Sequence, residues 1–576
     1  MAKGGMGNVR KCERKKIISI FGEGCVRIKK INRFDYADAK SDSDVYRVCL
    51  PYGFISEQLS DEVVNWNNEE SVFIAADTGL GKNTFVEQIL IPKIRELGGK
   101  ILLLSNRVAL GRQEKRRLAK IFNMEEILED YTDTGLDKLI KFGCLTVVSY
   151  QQLGAWINEN SAPLKEVKKE FFDFVIMDEV HFFLGDCSFN PLTDIILKFI
   201  IENFQNSVRL YMTATPEQIF PVLKQKDIKL VKEQNEFIAR KRNWMFYEFA
   251  HDFSWIQPKA FADLNDLADI IRQNQGKWLI FVDSIAMGNE LKDLLGEGVL
   301  LTAESKNPEA PTYPVFSQIV KRERCNERVI IATSVLENGI NLKDSELKNV
   351  VIFSNEKMQF MQMLGRVRRM AGCLTLYIPD VSHEQILKRL QRINAIDRAI
   401  QVLKNDATKF YQEYLLPENP PVKIKNSVTL LKNHQMHSNS LFKLKTLVYD
   451  YPFWNDMYER SKNGEEFVML KEKFSWIEKE FQAEDFVSRK EYEKSHKNLI
   501  SFLEQKVGTP IMSEKKEMFA AEFSKLFKAV YGARNVDKSQ DQVYGLNIIK
   551  KCLNEQNLPF TVINNKNQWT VEKIEK

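Results

Sequence analysis

Short apolar runs alternate with amphipathic stretches between about residue 51 and residue 382 of the chain. Apolar runs typical of β-strands lie near residues 72, 102, 146, 174 and 209, and helical stretches separate them. A second series of strand-like runs lies near residues 246, 279, 299, 330, 351 and 375. Strands that alternate with helices are typical of parallel sheets. The pattern therefore predicts an α/β fold with two consecutive parallel-sheet blocks.

The pattern changes after about residue 382, where helical periodicity replaces the alternation. Near the end, helix-like runs at residues 517–531 and 540–554 precede two alternating stretches, 560–563 and 568–571, that flank an asparagine-rich turn. This order predicts two helices followed by a β-hairpin. Two interpretations stay open: a winged-helix-like module suited to duplex contact, or a small capping module without a ligand.

The stretch that follows the strand near residue 72 contains the first candidate chemistry. Gly79 and Gly81 can adopt the positive φ that lets successive backbone N–H groups converge on an anion, and a helix start adds its dipole. Lys82 would then reach the β- and γ-phosphates of a nucleotide. The strict phosphate-loop pattern fails twice, because Ala76 replaces its first glycine and Asn83 stands where a hydroxyl would bind magnesium. Taken alone, the motif also fits an ordinary strand-turn-helix corner with an exposed lysine.

A second motif, Asp178-Glu179-Val180-His181, ends an apolar strand about a hundred residues further on. Magnesium requires hard oxygen ligands near the phosphates, and Asp178 would hold the ion through water. Glu179 is the next residue and would orient an attacking water. Two carboxylates at the carboxyl end of a strand therefore favour hydrolysis.

The two motifs, together with further stretches in the same order, resemble the superfamily 2 helicases of the DExH type. The resemblance covers roughly residues 55–380. The other similar stretches are residues 102–107, 146–151, 211–216, 278–284, 331–341 and 362–369.

The resemblance implies two tandem RecA-like parallel-sheet domains. The helical periodicity after residue 382 predicts a mainly helical C-terminal region that ends in the possible winged-helix-like module. The boundaries that we expect are a basic N-terminal extension at 1–50, RecA-like domains at 51–235 and 236–382, a helical accessory region at 383–510 and the final module at 511–576. ATP would bind between the two RecA-like domains with Mg²⁺ as its metal.

The resemblance also implies a role for individual residues. The catalytic set is Lys82, Asp178, Glu179, His181, Gln362, Arg366 and Arg369, with the two arginines expected on one helical face. The nucleotide-binding set is Thr78, Gly79, Gly81, Lys82, Asn83, Thr84 and Gly339. The metal ligands would be Asp178, Asn83 and Thr84. The nucleic-acid-binding set is Asn106, Arg107, Ser149, Asp283, Ser284 and Thr333.

Composition limits which partners and which cellular compartment we expect for the chain. The chain has 576 residues, 28% of them charged, and a net charge of only +5, so a nucleic-acid partner must be argued from local charge. Its eight cysteines form no C-x-x-C pair, which predicts a reducing, cytoplasmic environment. No stretch approaches the length and hydrophobicity of a membrane span, so no membrane partner is expected.

The sequence thus predicts an ATP-dependent helicase or translocase that acts on DNA, with RNA as the second choice. An ATP-gated clamp or scaffold with little turnover is the alternative, and Asn83 is the residue that motivates it.

Overall fold

The computed structural model describes residues 44–574 apart from 107–114, 116, 125–138, 234–235, 337–341, 368–372, 425–426, 431–435, 488, 532–541, 557 and 566–567. Three predicted site residues, Arg107, Gly339 and Arg369, lie outside the described residues, as does most of the predicted N-terminal extension. The chain divides into two compact units. The first combines the described residues up to His251 with Glu384–Glu459, and the second combines Asp252–His383 with the residues from Arg460 onwards.

An eight-stranded sheet forms the core of the first unit. The strands up to residue 249 are β1 (Val45–Leu50), β2 (Glu70–Ala75), β3 (Ile101–Ser105), β4 (Lys141–Phe142), β5 (Leu145–Ser149), β6 (Phe174–Met177), β7 (Val208–Thr213), β8 (Ile228–Glu233), β9 (Glu236–Lys241) and β10 (Asn243–Phe249). Strands β8 and β9 pair with each other as an antiparallel hairpin, and the rest follow the order β1-β10-β2-β7-β6-β3-β5-β4. All neighbours in the large sheet are parallel except β4 and β5. The strands are nearly continuous apolar runs because helices cover parallel sheets on both faces.

The edge of this sheet corrects the sequence analysis at two strands. The run near residue 246 was expected in the second block, which is wrong, because β10 lies between β1 and β2. Residues 45–50, expected in the N-terminal extension, form the edge strand β1. Trp244 of β10 is buried against Phe73 and Tyr211 of the neighbouring strands. An apolar pattern indicates that a stretch is a strand, but not which sheet it joins.

Helices fill the connections of the first sheet. They are α1 (Ile55–Gln58), α2 (Lys82–Phe85), α3 (Ile91–Glu96), α4 (Tyr150–Glu159), α5 (Ala162–Lys169), α6 (Phe182–Gly185), α7 (Thr193–Asn203) and α8 (Ile219–Lys226). A π-helical turn, Val86–Leu90, joins α2 to α3. The helix start predicted after the phosphate loop is therefore present, and the helix begins at Lys82.

The second unit contains a six-stranded, all-parallel sheet. Its strands are β11 (Ile256–Phe261), β12 (Lys277–Phe281), β13 (Val299–Leu301), β14 (Val329–Ala332), β15 (Leu347–Ile352) and β16 (Leu374–Pro379). Their order is β11-β16-β15-β12-β14-β13. The connecting helices are α9 (Leu264–Gln273), α10 (Ile285–Leu295), α11 (Tyr313–Arg322) and α12 (Lys357–Leu364). Two parallel-sheet α/β domains, as predicted, are confirmed.

The next segment belongs to the first unit and is mainly helical. It contains α13 (His383–Asn405), α14 (Ala407–Phe410), a short antiparallel pair β17 (Val428–Leu430) and β18 (Met436–Ser438), α15 (Ser440–Leu444) and α16 (Tyr451–Lys462). Ser440 holds this segment to α7, since its hydroxyl donates to Asp194 at 2.5 Å. Trp454 of α16 is buried, whereas Tyr451 of the same helix is exposed.

The remaining helices and strands belong to the second unit. They are α17 (Val468–Ser475), α18 (Arg489–Glu504), α19 (Ser513–Tyr531), α20 (Leu546–Glu555), β19 (Phe560–Asn565) and β20 (Gln568–Lys573). The predicted helices and hairpin are confirmed, and Ile511 adds a short third strand by backbone hydrogen bonds to Trp569 at 2.7 and 3.0 Å. Leu499 and Leu503 of α18 share this module's core, although they precede the expected boundary at residue 511. Among the residues described, no helix combines the length and apolar character needed to cross a membrane.

Candidate functional site

Three neighbouring strands of the first sheet bring the two catalytic motifs together. Strands β2, β7 and β6 are adjacent and parallel, so their carboxyl ends lie at one edge. The Ala76 N–H donates to the carbonyl of Thr213 at 3.0 Å, and the Val180 N–H donates to that of Met212, also at 3.0 Å. The phosphate loop and the carboxylate box are therefore both fixed to the end of β7.

The phosphate loop has the backbone that its glycines predicted. Gly79 has φ 110° and Gly81 has φ 84°, both in the region that favours glycine. A side chain at Gly81 would meet its nearest neighbour, Phe54 Cδ1, at 3.6 Å, which is ordinary contact. The glycine is therefore required by its backbone conformation and not by lack of space.

Lys82 is not the exposed lysine of an ordinary turn. Its side chain is only 7% exposed, and the ammonium donates to the carbonyls of Ala76 at 2.9 Å and Asp77 at 3.5 Å. The loop thus folds around the cation, and a positive charge is held where the glycine backbone turns. Asp77 also contacts Nδ1 of His251 at 2.8 Å, a neighbour that no sequence motif indicated.

The two carboxylates of the box are buried at the end of β6. Asp178 is 4% exposed and Glu179 is 5% exposed. Glu179 has φ 51°, in the left-handed region, which costs about 1–3 kcal/mol for a residue other than glycine. Such strain persists only where the surroundings impose it, and it is concentrated at functional sites. No sequence pattern predicted this strain.

A histidine and a threonine link the box to β7. Nδ1 of His181 lies 3.0 Å from Oγ1 of Thr213 and 3.4 Å from Oε2 of Glu179. The Thr215 N–H donates to Oγ1 of Thr213 at 3.1 Å. The hydroxyl of Thr213 therefore connects His181 of the box to the backbone that follows β7.

The residues around the loop and the box suit a magnesium ion. Magnesium prefers hard oxygen ligands and keeps several waters beside one or two carboxylates and substrate phosphates. Asp178 offers a carboxylate, Asn83 an amide oxygen and Thr84 a hydroxyl at the start of α2. Asn83 is half-buried like Thr78, whereas Thr84 is exposed. The donor set fits the ion.

The next two strands carry the predicted nucleic-acid contacts of the first unit. Strands β3 and β5 continue the same carboxyl edge beyond β6. Asn106 follows β3 and is buried, and its side-chain oxygen accepts a hydrogen bond from the Gln151 amide at 2.7 Å. The Ser149 hydroxyl caps α4 by accepting from the Gln152 N–H at 3.1 Å. Ser149 thus has a structural role whether or not it binds a ligand.

The second unit places its predicted nucleic-acid contacts at the carboxyl edge of its own sheet. Asp283 and Ser284 follow β12 and are exposed, and Thr333 follows β14. The Ser284 hydroxyl caps α10 by accepting from the Met287 N–H at 3.2 Å.

The helix that precedes the predicted arginine pair is shorter than expected. Gln362 lies on α12 and is buried, but the helix ends at Leu364, so Arg366 lies beyond it. The expectation that Arg366 belongs to a continuous helical face is wrong. The Leu342 N–H donates to the carbonyl of Arg366 at 2.8 Å, and this pairing draws the chain out of the helix.

Two buried polar residues close to predicted site residues were not predicted from the sequence. Tyr150 is fully buried and its hydroxyl donates to the Asp178 carbonyl at 3.0 Å. Lys473 of α17 is 0% exposed, and burial lowers its pKa to about 7 against the opposing charges of Asp283 and Asp380. Tyr150 lies within the helicase-like stretch 146–151 but had no role assigned to it, and Lys473 lies in no motif.

Comparisons with known proteins agree with the motifs. The family model described as "Type III restriction enzyme, res subunit" matches residues 44–218. The ATP-dependent RNA helicase SUB2 of Scheffersomyces stipitis is 23% identical over 375 residues, which cover 61% of this chain and 78% of that protein.

Two solved structures illustrate the likeness of the fold. Dbp5 of S. cerevisiae bound to RNA and ADP BeF3 is 13% identical with a TM-score of 0.39, covering 56% of this chain and 83% of that chain. The Escherichia coli DEAH/RHA helicase HrpB is 15% identical with a TM-score of 0.36, and the match covers 58% of this chain and 43% of that chain. Scores this low add no argument about activity. In its ordered motifs, its two parallel-sheet domains and its res-subunit match over residues 44–218, the chain is similar to the superfamily 2 helicases.

Proposed function

We propose that the chain is an ATP-dependent helicase or translocase that couples ATP hydrolysis to movement along a nucleic acid. The observation that supports this most is the edge of the first sheet, where a buried lysine and two buried carboxylates are fixed to the same strand. Cations for phosphates and carboxylates for a metal and a water are the requirements of phosphoryl transfer.

Different residues of the first unit are proposed to bind the phosphates, hold the metal and activate the water. Lys82 and the turn at Gly79 and Gly81 bind the phosphates and offset their charge. Magnesium, held by Asp178 with Asn83 or Thr84, would neutralise charge on the phosphate oxygens. Glu179 orients the attacking water and accepts its proton.

The second unit would complete the reaction. Arg366 and Arg369 are the proposed arginine fingers, and an arginine of this kind is worth about 10³- to 10⁵-fold in rate. Gln362 and His181 are proposed to link nucleotide state to domain movement, and Gly339 to contact the nucleotide. These roles rest on the resemblance of the motifs.

The proposed nucleic-acid path follows the carboxyl edges of the two sheets. Asn106, Arg107, Ser149, Asp283, Ser284 and Thr333 would contact phosphate and sugar. Such contacts fix the register of the strand without reading its sequence. We propose DNA as the preferred polymer, because the helices and hairpin of residues 489–573 follow the order that we expect of a winged-helix-like module. We also propose a cytoplasmic location from the scattered cysteines.

Strand displacement and triplex displacement test this proposal together. With ATP and Mg²⁺, the wild type should displace a strand from a DNA or RNA duplex, or a third strand from DNA, whereas Lys82→Ala should do neither. Strand displacement identifies a helicase, and triplex displacement alone identifies a duplex translocase. ATP-dependent retention on the polymer without phosphate release would instead identify the clamp and refute the motor.

A further inference from the structure

Tyr150 connects two parts of the first unit: the sheet edge that we expect to bind nucleic acid, and the carboxylate box. It is the first residue of α4 and follows Ser149, the last residue of β5. Its ring is stacked on Phe182 with centroids 4.6 Å apart and meets Phe183 edge-on at 5.0 Å. Both phenylalanines belong to α6, which begins directly after the box. The ring is therefore held in a fixed position behind the carboxylates.

The hydroxyl of Tyr150 contacts one particular peptide group. It donates to the Asp178 carbonyl at 3.0 Å, and that carbonyl belongs to the peptide bond between Asp178 and Glu179. The orientation of this peptide plane determines φ of Glu179, which is 51°. A hydrogen bond that fixes the plane therefore stabilises the strained backbone that presents the Glu179 carboxylate.

The residues beside Tyr150 extend the connection to the neighbouring strand. Gln151, the next residue, donates its side-chain amide to Asn106 at 2.7 Å. Asn106 and Ser149 are the two described residues of this unit that we expect to contact nucleic acid. A backbone shift of this edge on binding would move the Tyr150 hydroxyl and hence the peptide that precedes Glu179.

We propose that Tyr150 is a positioning residue that holds the Asp178–Glu179 peptide in its strained conformation and transmits nucleic-acid binding to Glu179. The inference rests on the proposed function, because it assumes that Glu179 orients the attacking water.

The test compares two buried tyrosines of the first unit, Tyr150 of α4 and Tyr211 of β7. Tyr150→Phe keeps the stacked ring and removes only the hydroxyl. Tyr211→Phe is the matched control, because Tyr211 is also fully buried and its hydroxyl donates to Asp227 at 2.8 Å. ATP turnover with single-stranded DNA, duplex DNA or RNA is measured for both variants, together with Tm, the KM for ATP and the Kd for each polymer.

Both variants should lose stability, but only Tyr150→Phe should lose rate. We expect about a tenfold fall in the polymer-stimulated kcat, equivalent to about 1.4 kcal/mol, with KM and Kd changed less than about twofold. Tyr211→Phe should keep its kcat per folded molecule. Equal kcat in wild type and Tyr150→Phe, or equal losses in the two variants, would overturn the inference.

The outcomes also separate this inference from the proposed function. A wild type whose ATP turnover no polymer stimulates refutes the proposed function and the inference with it. A stimulated wild type beside an equally stimulated Tyr150→Phe refutes the inference alone. If Tyr150→Phe does not fold, Phe182→Leu loosens the same ring and leaves the hydroxyl. A reduced stimulated kcat in that variant supports the inference, and an unchanged one refutes it.

Discussion

The two ends of the first sheet both bury charged groups, but they do so in opposite ways. At the amino end, Asp227 accepts hydrogen bonds from Ser71 at 2.6 Å and Tyr211 at 2.8 Å and forms an ion pair with Arg209. Arg209 also donates to the carbonyl of Ile201 at 3.1 Å. The buried carboxylate of Asp227 is therefore paired with a buried cation. A buried charge that loses its partner destabilises the fold strongly.

At the carboxyl end, two carboxylates adjoin each other and one lies on a strained residue. Asp178 and Glu179 are as deeply buried as many core residues, and Lys82 is held by backbone carbonyls. An arrangement that costs free energy in the folded chain makes sense where a ligand supplies the compensating charge. The difference indicates that the amino end serves stability and the carboxyl end serves chemistry.

The largest expected effect is loss of catalysis at the carboxyl end. Glu179→Gln removes the proposed base, and a general base contributes about 10²- to 10⁴-fold in rate. We expect the polymer-stimulated kcat to fall by that factor while Tm and ATP affinity change little. Phosphate-release kinetics and equilibrium nucleotide binding measure the two quantities. Unchanged turnover would remove Glu179 from the mechanism.

The matching change at the amino end should affect stability alone. Asp227→Ala leaves Arg209 buried without its carboxylate, which costs about 3–5 kcal/mol of unfolding free energy. Denaturant titration measures the loss, and kcat per folded molecule should be retained. Glu384→Ala is the control, because that carboxylate forms an exposed pair with Lys388 at 2.7 Å and should leave Tm unchanged. A loss of kcat in folded Asp227→Ala would contradict the division between the two ends.

Lys473 predicts a pH-dependent stability in the second unit. Its pKa is lowered from 10.5 to about 7, so between these pH values the unfolded chain binds a proton that the folded chain does not. The free energy of unfolding therefore rises with pH between about 7 and 10.5. Below about pH 7 the buried lysine is charged in the folded chain, and its full destabilising effect is present.

Replacing Lys473 should abolish this increase of stability with pH. Lys473→Met should stabilise the protein at pH 7, by about 4 kcal/mol at most, and the gain should shrink toward pH 10. Lys471→Met is the control on the same helix, because its partly exposed ammonium pairs with Glu465. Denaturation at several pH values measures both variants, and a gain independent of pH would contradict the account.

The smallest expected effect distinguishes two glycines with positive φ. Gly81→Ala and Gly296→Ala both place a side chain in the left-handed region, at φ 84° and 71°, with space for the new carbon. Each should cost about 1–2 kcal/mol of stability. Only Gly81→Ala should also raise the KM for ATP, by a few-fold. An equal KM in both variants would argue against a phosphate-binding loop.

Local patterns predicted strands β2, β3, β5, β6 and β7 of the first unit and the positions of its phosphate loop and carboxylate box. Lys82 and the Asp178–Glu179 pair follow apolar strands directly, and parallel pairing then brings them to one edge. Contacts between distant residues were not predictable. The pairing of β10 with β2, the end of α12 before Arg366 and the bond from Tyr150 to Asp178 depend on neighbours far apart in the chain. The strained φ of Glu179 has no sequence signal, because glutamate rarely adopts it.

The most direct measurement of the central claim is the rate of ATP hydrolysis with Mg²⁺, alone and with single-stranded DNA, duplex DNA or RNA, against Lys82→Ala as the blank. The account predicts strong stimulation of the wild type by at least one polymer and none of Lys82→Ala. Equal turnover with and without every polymer, or equal turnover in wild type and Lys82→Ala, would contradict it.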